Sequence, residues 1–255
     1  MMREDKFSCT RNGLTIRGTE YRPEGENLPV AIVCHGIMAN QDTVRQYTKE
    51  LAQVGYDAFC FDFCGGTMTN CSSDGLTTEM SVLTEVKDLE AVMEYTHSLP
   101  HTGNRLLLMG CSQGGFVAAL TAAKHPDLVD RLVLFYPALC IPDNAREGKL
   151  LYAEYDPADI PEQMPCGPMM LGRCFPADVM DMDAFEEIKS FEGPVLIVHG
   201  TEDDIVKPDY SKRAVETYAH AKLCLIEGGA HGFGRKYDKV ATDALREFAI
   251  CTESY

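Results

Sequence analysis

Three short segments carry residues that could act together in acyl transfer. The first is Gly110-Cys111-Ser112-Gln113-Gly114, followed by Gly115. It lies directly after an apolar run and directly before a helical pattern. A serine at a sharp strand-to-helix turn takes strained backbone angles, and the residues two places away must be small where strand and helix converge. Gly110 and Gly114 meet that demand, so the turn lifts the Ser112 hydroxyl above the sheet edge. A serine hydroxyl is a weak nucleophile at neutral pH and needs a base. His231, within Gly228-Gly229-Ala230-His231-Gly232-Phe233, follows another apolar run and is the best placed of the seven histidines. His125 precedes Pro126 at a helix end, where a cationic cap is the ordinary role. His97 and His101 flank a helix terminus, His220 lies near a surface turn, and His199 ends a strand as a packed, hydrogen-bonded residue.

The base in turn needs a carboxylate to fix its tautomer and stabilise the imidazolium. The third segment, His199-Gly200-Thr201-Glu202-Asp203-Asp204-Ile205-Val206, offers three adjacent acids, and chemistry alone leaves the choice among them open. Asp203 is taken as the acid, with Glu202 and Asp204 as solvated charges. A tetrahedral intermediate also needs donors for its oxyanion, usually two backbone N–H groups. One is expected from Gln113, the residue after the nucleophile. The other is expected from Ile37 in the loop His35-Gly36-Ile37-Met38, where Gly36 permits close approach and His35 shapes the loop.

These segments must be held by a framework, and the pattern of the chain describes one. Short, continuous apolar runs at Val30–Cys34, Ala58–Phe61, Leu106–Met109, Leu132–Phe135, Val195–Val198 and Leu223–Ile226 read as buried parallel strands. Between them, Leu83, Val86, Leu89 and Met93 fall at helical spacing, as do Phe116, Ala119, Leu120 and Ala123, and Val240, Ala244, Leu245 and Phe248. Alternating strands and helices predict an α/β class, a mostly parallel sheet covered on both faces. The segment Phe7 to Tyr21 predicts an antiparallel hairpin centred near Asn12-Gly13. The alternation breaks from about Pro137 to Ser190, a Pro- and Met-rich stretch. It holds 11 acidic and 4 basic residues, so it carries −7 of the net −16. A structureless loop of that length is unusual in a compact domain. It is therefore read as an inserted small helical cap, residues 137–190, on a core made of 1–136 and 191–255.

Composition narrows the function. The 255 residues are 45% hydrophobic and 24% charged, a balance that excludes disorder or a coiled coil as the main organisation. A net charge of −16 repels phosphate backbones and argues against a nucleic-acid partner. No apolar run approaches membrane-spanning length, and the N-terminus reads as having no signal peptide. The 11 cysteines are an odd number without CxxC or zinc spacing. Cys34, Cys60 and Cys224 sit in apolar runs, which suits small core residues in a reduced, cytoplasmic setting. No metal and no organic cofactor is implied. A homodimer stays open.

The chain resembles the α/β-hydrolase-fold serine hydrolases. The resemblance rests on His35-Gly36, Asp62-Phe63-Cys64-Gly65, the turn around Ser112, His199-Gly200 through Asp203, and Gly229-Ala230-His231-Gly232-Phe233. These pieces cover nearly the whole length, and Ser112, Asp203 and His231 follow in that fold's chain order. Within the fold the chain most resembles the bacterial cinnamoyl/feruloyl esterase-like branch, including Tyr155-Asp156-Pro157-Ala158-Asp159-Ile160-Pro161 in the cap. The resemblance implies a small-molecule ester as substrate and a cap over the acyl group. By position it implies that Asp143 contacts a phenolic acid, although a surface acid in the turn Pro142-Asp143-Asn144 fits equally. Gly65-Gly66-Thr67 departs from a Gly-His-Gly pattern, and the cap is richer in Met than in aromatics.

The leading expectation is a serine carboxylesterase. An acyltransferase or aminopeptidase-like enzyme could use the same three residues. A non-catalytic binding protein, or a thiol hydrolase using the off-centre Cys111, would need other features. If His231 is the base, activity should fall as pH drops and the imidazole takes a proton. Initial rates between about pH 5 and 8 test this, since a flat profile removes His231 from the role.

Overall fold

The apolar runs lack polar alternation because their strands are buried on both faces. The computed structural model describes residues 2–68, 71–234 and 236–251. The hairpin β1 (Arg3–Arg11) and β2 (Leu14–Arg22) leads to β3 (Leu28–Cys34), α1 (Gln41–Gln53), β4 (Asp57–Asp62), α2 (Val82–His97), β5 (Thr102–Cys111), α3 (Gln113–Lys124) and β6 (Arg131–Phe135). Next come α4 (Ile141–Arg146), β7 (Lys149–Leu150), β8 (Ala153–Glu154), β9 (Gln163–Cys166), β10 (Met169–Gly172), α5 (Cys174–Val179) and α6 (Ala184–Ile188). The chain ends with β11 (Val195–Gly200), α7 (Pro208–Thr217), β12 (Ala221–Ile226) and α8 (Asp238–Ile250).

The main sheet has eight strands in the order β1-β2-β4-β3-β5-β6-β11-β12. From β4 to β12 all neighbours are parallel, and β1 and β2 join antiparallel at one edge. Adjacent residues face opposite layers. Ile32, Phe59, Leu108 and Leu134 pack in a core with residues of α2 and α3, and Val33, Cys60, Met109 and Phe135 in one with residues of α1 and α8. Asn12 and Gly13 both take positive φ, as a two-residue hairpin turn requires. Among the described residues no helix is long and apolar enough to cross a membrane.

Two expectations need correcting. The segment between β6 and β11 is not purely helical. Its helices are five or six residues long, and β7–β8 and β9–β10 are two-stranded hairpins. Glycine at positive φ in the Gly167 turn permits the second hairpin, and alternate residues Met164, Cys166, Met169 and Leu171 are buried beneath it. Met170, on the other face, is exposed. The second correction concerns β12, which is an edge strand, paired only with β11, and leaves Leu225 exposed and Cys224 half-buried. Cys34 and Cys60 are fully buried, and all eleven thiols are free. Helices α1 and α7 carried no pattern singled out in the sequence. Asn40 caps α1 by accepting from the Asp42 amide, and Pro208 opens α7.

The N-terminal hairpin is tied to the sheet through Phe7, whose ring meets that of Phe59 edge-on at 5.5 Å. Phe59 is fully buried. Phe59→Ala is expected to cost about 3–5 kcal/mol, read as a lower urea midpoint with an unchanged slope.

Candidate active site

The turn after β5 is built by steric necessity. Ser112 has φ 55° and ψ −121°, outside the regions that side chains prefer. A Cβ at Gly110 would lie 2.0 Å from the Gly114 carbonyl oxygen, and one at Gly114 would lie 2.2 Å from that of His35. Both positions therefore admit only glycine while β5, α3 and the loop after β3 stay this close. The Ser112 N–H donates to the Phe135 carbonyl at 2.9 Å, which holds the strained residue against the end of β6. Its side chain makes no helix-capping bond and stays half-buried.

The structure brings Ser112, His231 and Asp203 into one line. His231 Nε2 is 3.0 Å from Ser112 Oγ, and His231 Nδ1 is 2.7 Å from Asp203 Oδ2. A carboxylate can only accept, so Nδ1 carries the proton and Nε2 faces the hydroxyl as an acceptor. Of the three adjacent acids, Asp203 is buried while Glu202 and Asp204 are exposed. Asp203 Oδ1 accepts from the amides of Ile205 at 3.0 Å and Val206 at 2.9 Å. Burial pushes the Asp203 carboxyl up. Hydrogen bonds from His199, His231 and the Val206 amide outweigh that and hold it well below the usual carboxylate range. The acid loop is pinned to the histidine loop, since Gly228 N–H donates to Thr201 Oγ1 and Glu202 N–H to the Gly229 carbonyl.

Two positioning residues were not assigned to this site from the sequence. His199 is packed and hydrogen-bonded, as its place at a strand end suggested, but one of its contacts is the acid itself. Its Nε2 lies 2.9 Å from the Val206 carbonyl and 3.2 Å from Asp203 Oδ2, while Nδ1 meets Ser211 Oγ of α7 at 2.6 Å. Tyr136, at φ 39°, places its ring edge-on to His231 at 4.7 Å and to Phe233 at 4.9 Å. Its only sequence signal was its place directly after β6.

The loop after β3 is clamped by His35, whose Nδ1 donates to the Gly36 carbonyl at 2.8 Å and whose Nε2 accepts from Phe63 N–H at 3.1 Å. Burial lowers the His35 pKa, which favours this neutral form. Gly36 approaches Ser112 so closely that a Cβ there would stand 3.0 Å from the serine Cβ. Ile37 and Gln113 both border the cavity that Ser112 opens into. The Gln113 side chain points inward, and its Nε2 donates to Glu85 Oε2 at 2.8 Å. Burial raises the Glu85 pKa well above the carboxylate range.

That cavity measures about 60 Å³ and is bounded by Ile37, Ala138, Ile141, Leu150, Phe175 and Val206, with Asn144 as its polar side chain beyond Ser112 and Gln113. Asp143 does not line it. Its carboxylate accepts from Tyr210 Oη at 2.7 Å and pairs with Arg146. Helix α4 therefore turns Asn144, rather than its neighbour, to the cavity. Cys111 is buried in the core with residues of α1 and α8, and burial pushes its thiol up to about 12. A nucleophilic role for that sulfur does not fit.

A family profile described as "Serine aminopeptidase, S33" matches residues 25–157. An uncharacterized protein of Mycobacterium tuberculosis is 25% identical over 245 residues, covering 94% of this chain and 76% of its own. A putative carboxymethylenebutenolidase of Aquifex aeolicus is 29% identical over 135 residues, covering 49% of this chain and 58% of its own. Among solved structures, Est1E from Butyrivibrio proteoclasticus with ferulic acid bound superposes with a TM-score of 0.89 at 25% identity, over 95% of this chain and 97% of that one. Asp203→Asn, which keeps the shape but removes the charge that sets the His231 tautomer, is expected to lower kcat by about 10⁴-fold. Steady-state kinetics on a hydrolysed ester, with the fold checked by circular dichroism, measures it.

Proposed function

The chain belongs to the serine aminopeptidase family of α/β-hydrolases, and on that footing we propose that it is a serine carboxylesterase acting on small carboxylic esters, among them hydroxycinnamates. The observation that carries this reading is the continuous hydrogen-bond line from Asp203 through His231 to Ser112 at the wall of an apolar cavity. Ser112 Oγ attacks the ester carbonyl and passes its proton to His231 Nε2. The oxyanion is met by the amides of Gln113 and Ile37. The C–O bond breaks as His231 returns the proton to the departing alcohol. Water then attacks the acyl-enzyme by the same proton route and releases the acid. Asp203 stays ionised throughout and stabilises the imidazolium.

The hydroxycinnamate part of the proposal draws on the likeness to Est1E, which is described with ferulic acid bound. The narrow cavity suits a flat or short acyl group. In this reading Asn144, the polar side chain on the cavity wall, meets a hydroxyl on the acyl ring, while Asp143 stays held by Tyr210 and Arg146. The insertion 137–190 acts as a cap over that group.

The test is a hydrolysis panel run on wild type and Ser112→Ala together. It holds short and medium p-nitrophenyl esters, methyl ferulate, chlorogenate and an aminoacyl anilide. The expected result is ester hydrolysis with a preference for hydroxycinnamates, lost by several orders of magnitude in Ser112→Ala. Turnover of simple esters alone removes the hydroxycinnamate part. Turnover of the anilide in preference to every ester replaces the proposal with a peptidase, and activity retained in Ser112→Ala overturns the nucleophile.

A further inference from the structure

At the far end of the sheet from Ser112, three side chains converge without any part in ester chemistry. Glu20 lies near the end of β2, Asp57 opens β4, and His101 immediately precedes β5. Ser112 follows the other end of the ten-residue β5, so about 30 Å of strand separates the two places. His101 Nε2 is 3.2 Å from Glu20 Oε1 and 3.1 Å from Asp57 Oδ2, and one ligand atom from each residue lies within 4.8 Å of the others.

The arrangement is costly as it stands. The Asp57 side chain has no solvent exposure, His101 Nε2 approaches it without hydrogen-bond geometry, and among the described residues neither of its oxygens receives a hydrogen bond. A buried carboxylate in that condition is unfavourable unless its charge is met. A second carboxylate, Glu20, faces the same space. His101 contributes a single nitrogen to the cluster. Among the described residues Arg22 pairs with Glu20, at 3.6 Å, and not with Asp57. The two carboxylates thus share one guanidinium. What is missing is positive charge at the centre.

We propose that Glu20, Asp57 and His101 form a binding site for a first-row divalent metal ion of the Mn²⁺ or Zn²⁺ kind. Two carboxylates and an imidazole are a ligand set that such ions accept. With bonds of about 2.1 Å, neighbouring ligand atoms stand about 3.0 Å apart around an octahedral ion and about 3.4 Å apart around a tetrahedral one. The separations of 3.1 and 3.2 Å to His101 Nε2 fall between those values. The remaining positions belong to water. The role is structural, because the three ligands come from the antiparallel hairpin, the parallel sheet and the turn before β5. An ion there ties the hairpin edge to the sheet beside the Phe7 contact with Phe59, since Glu20 is the register partner of Phe59.

The full-length protein, stripped with a chelator, is dialysed to equilibrium against Mn²⁺ and separately against Zn²⁺, beside Asp57→Asn and His101→Gln. Bound metal is measured by mass spectrometry and melting temperature in parallel. Wild type is expected to hold one more equivalent of at least one ion than either variant, and to melt at a higher temperature with that ion. The eleven thiols are common to all three proteins, so sulfur-bound Zn²⁺ cancels in the comparison. Equal metal content in wild type and folded variants overturns the proposal, and so does an absence of binding. Were either variant to fail to fold, Glu20→Gln supplies the same comparison.

Discussion

Close approach of three backbone segments is the constraint on which the site rests. The end of β5, the start of α3 and the loop after β3 meet at Gly110, Gly114 and Gly36, where a single Cβ would collide with backbone or with Ser112 itself. Only that proximity forces Ser112 into positive φ and leaves its hydroxyl unused by the helix cap. The strain is local, and the surrounding structure over-determines it. Ser112 N–H is held by β6, and its carbonyl accepts from Gly115, Phe116 and Ala138. The same crowding brings Ile37 and Gln113 to the cavity that Ser112 borders. One packing decision thus places the exposed hydroxyl and part of the cavity wall together.

The electrostatics are arranged around one buried charge. Asp203 sits in the protein interior yet stays ionised because four donors converge on its two oxygens. Two come from its own loop, one from His231 and one from His199, which is itself anchored to α7 through Ser211. The contrast with Asp57 is instructive. Both carboxylates are fully buried, but one has four donors and the other has only the approach of His101 Nε2 at 3.1 Å, with a second carboxylate, Glu20, beside it. The first is lowered below the usual range and the second is raised. Donor geometry, rather than burial, decides the sign.

The segment between β6 and β11 builds part of the cavity wall without a core of its own. Its helices are too short to be stable alone. They hold because Ile141, Leu150, Phe175 and Ile188 join the core that lies over α2 and α3. The methionines divide accordingly. Met164 and Met169 fill that core, while Met170 faces outward. Helix α4 presents Asn144 to the cavity and turns Asp143 to Tyr210 and Arg146.

The sequence by itself determined the parallel sheet, the N-terminal hairpin and the kinds of residue at the strand ends. These follow from local rules. Apolar runs bounded by glycine and proline report strands buried on both faces, and Asn12-Gly13 reports a turn that needs positive φ. Tertiary structure decided what depends on contacts between distant segments. It buried Asp203 and exposed Glu202 and Asp204, although all three are adjacent acids. It turned Asn144 rather than Asp143 to the cavity. It made β12 a half-exposed edge although its pattern matches the inner strands, since burial depends on the neighbour a strand receives. It assigned His199 to the acid and Tyr136 to the imidazole. It also gathered Glu20, Asp57 and His101, residues with no common motif, because strand register alone sets which side chains meet at the sheet's far end.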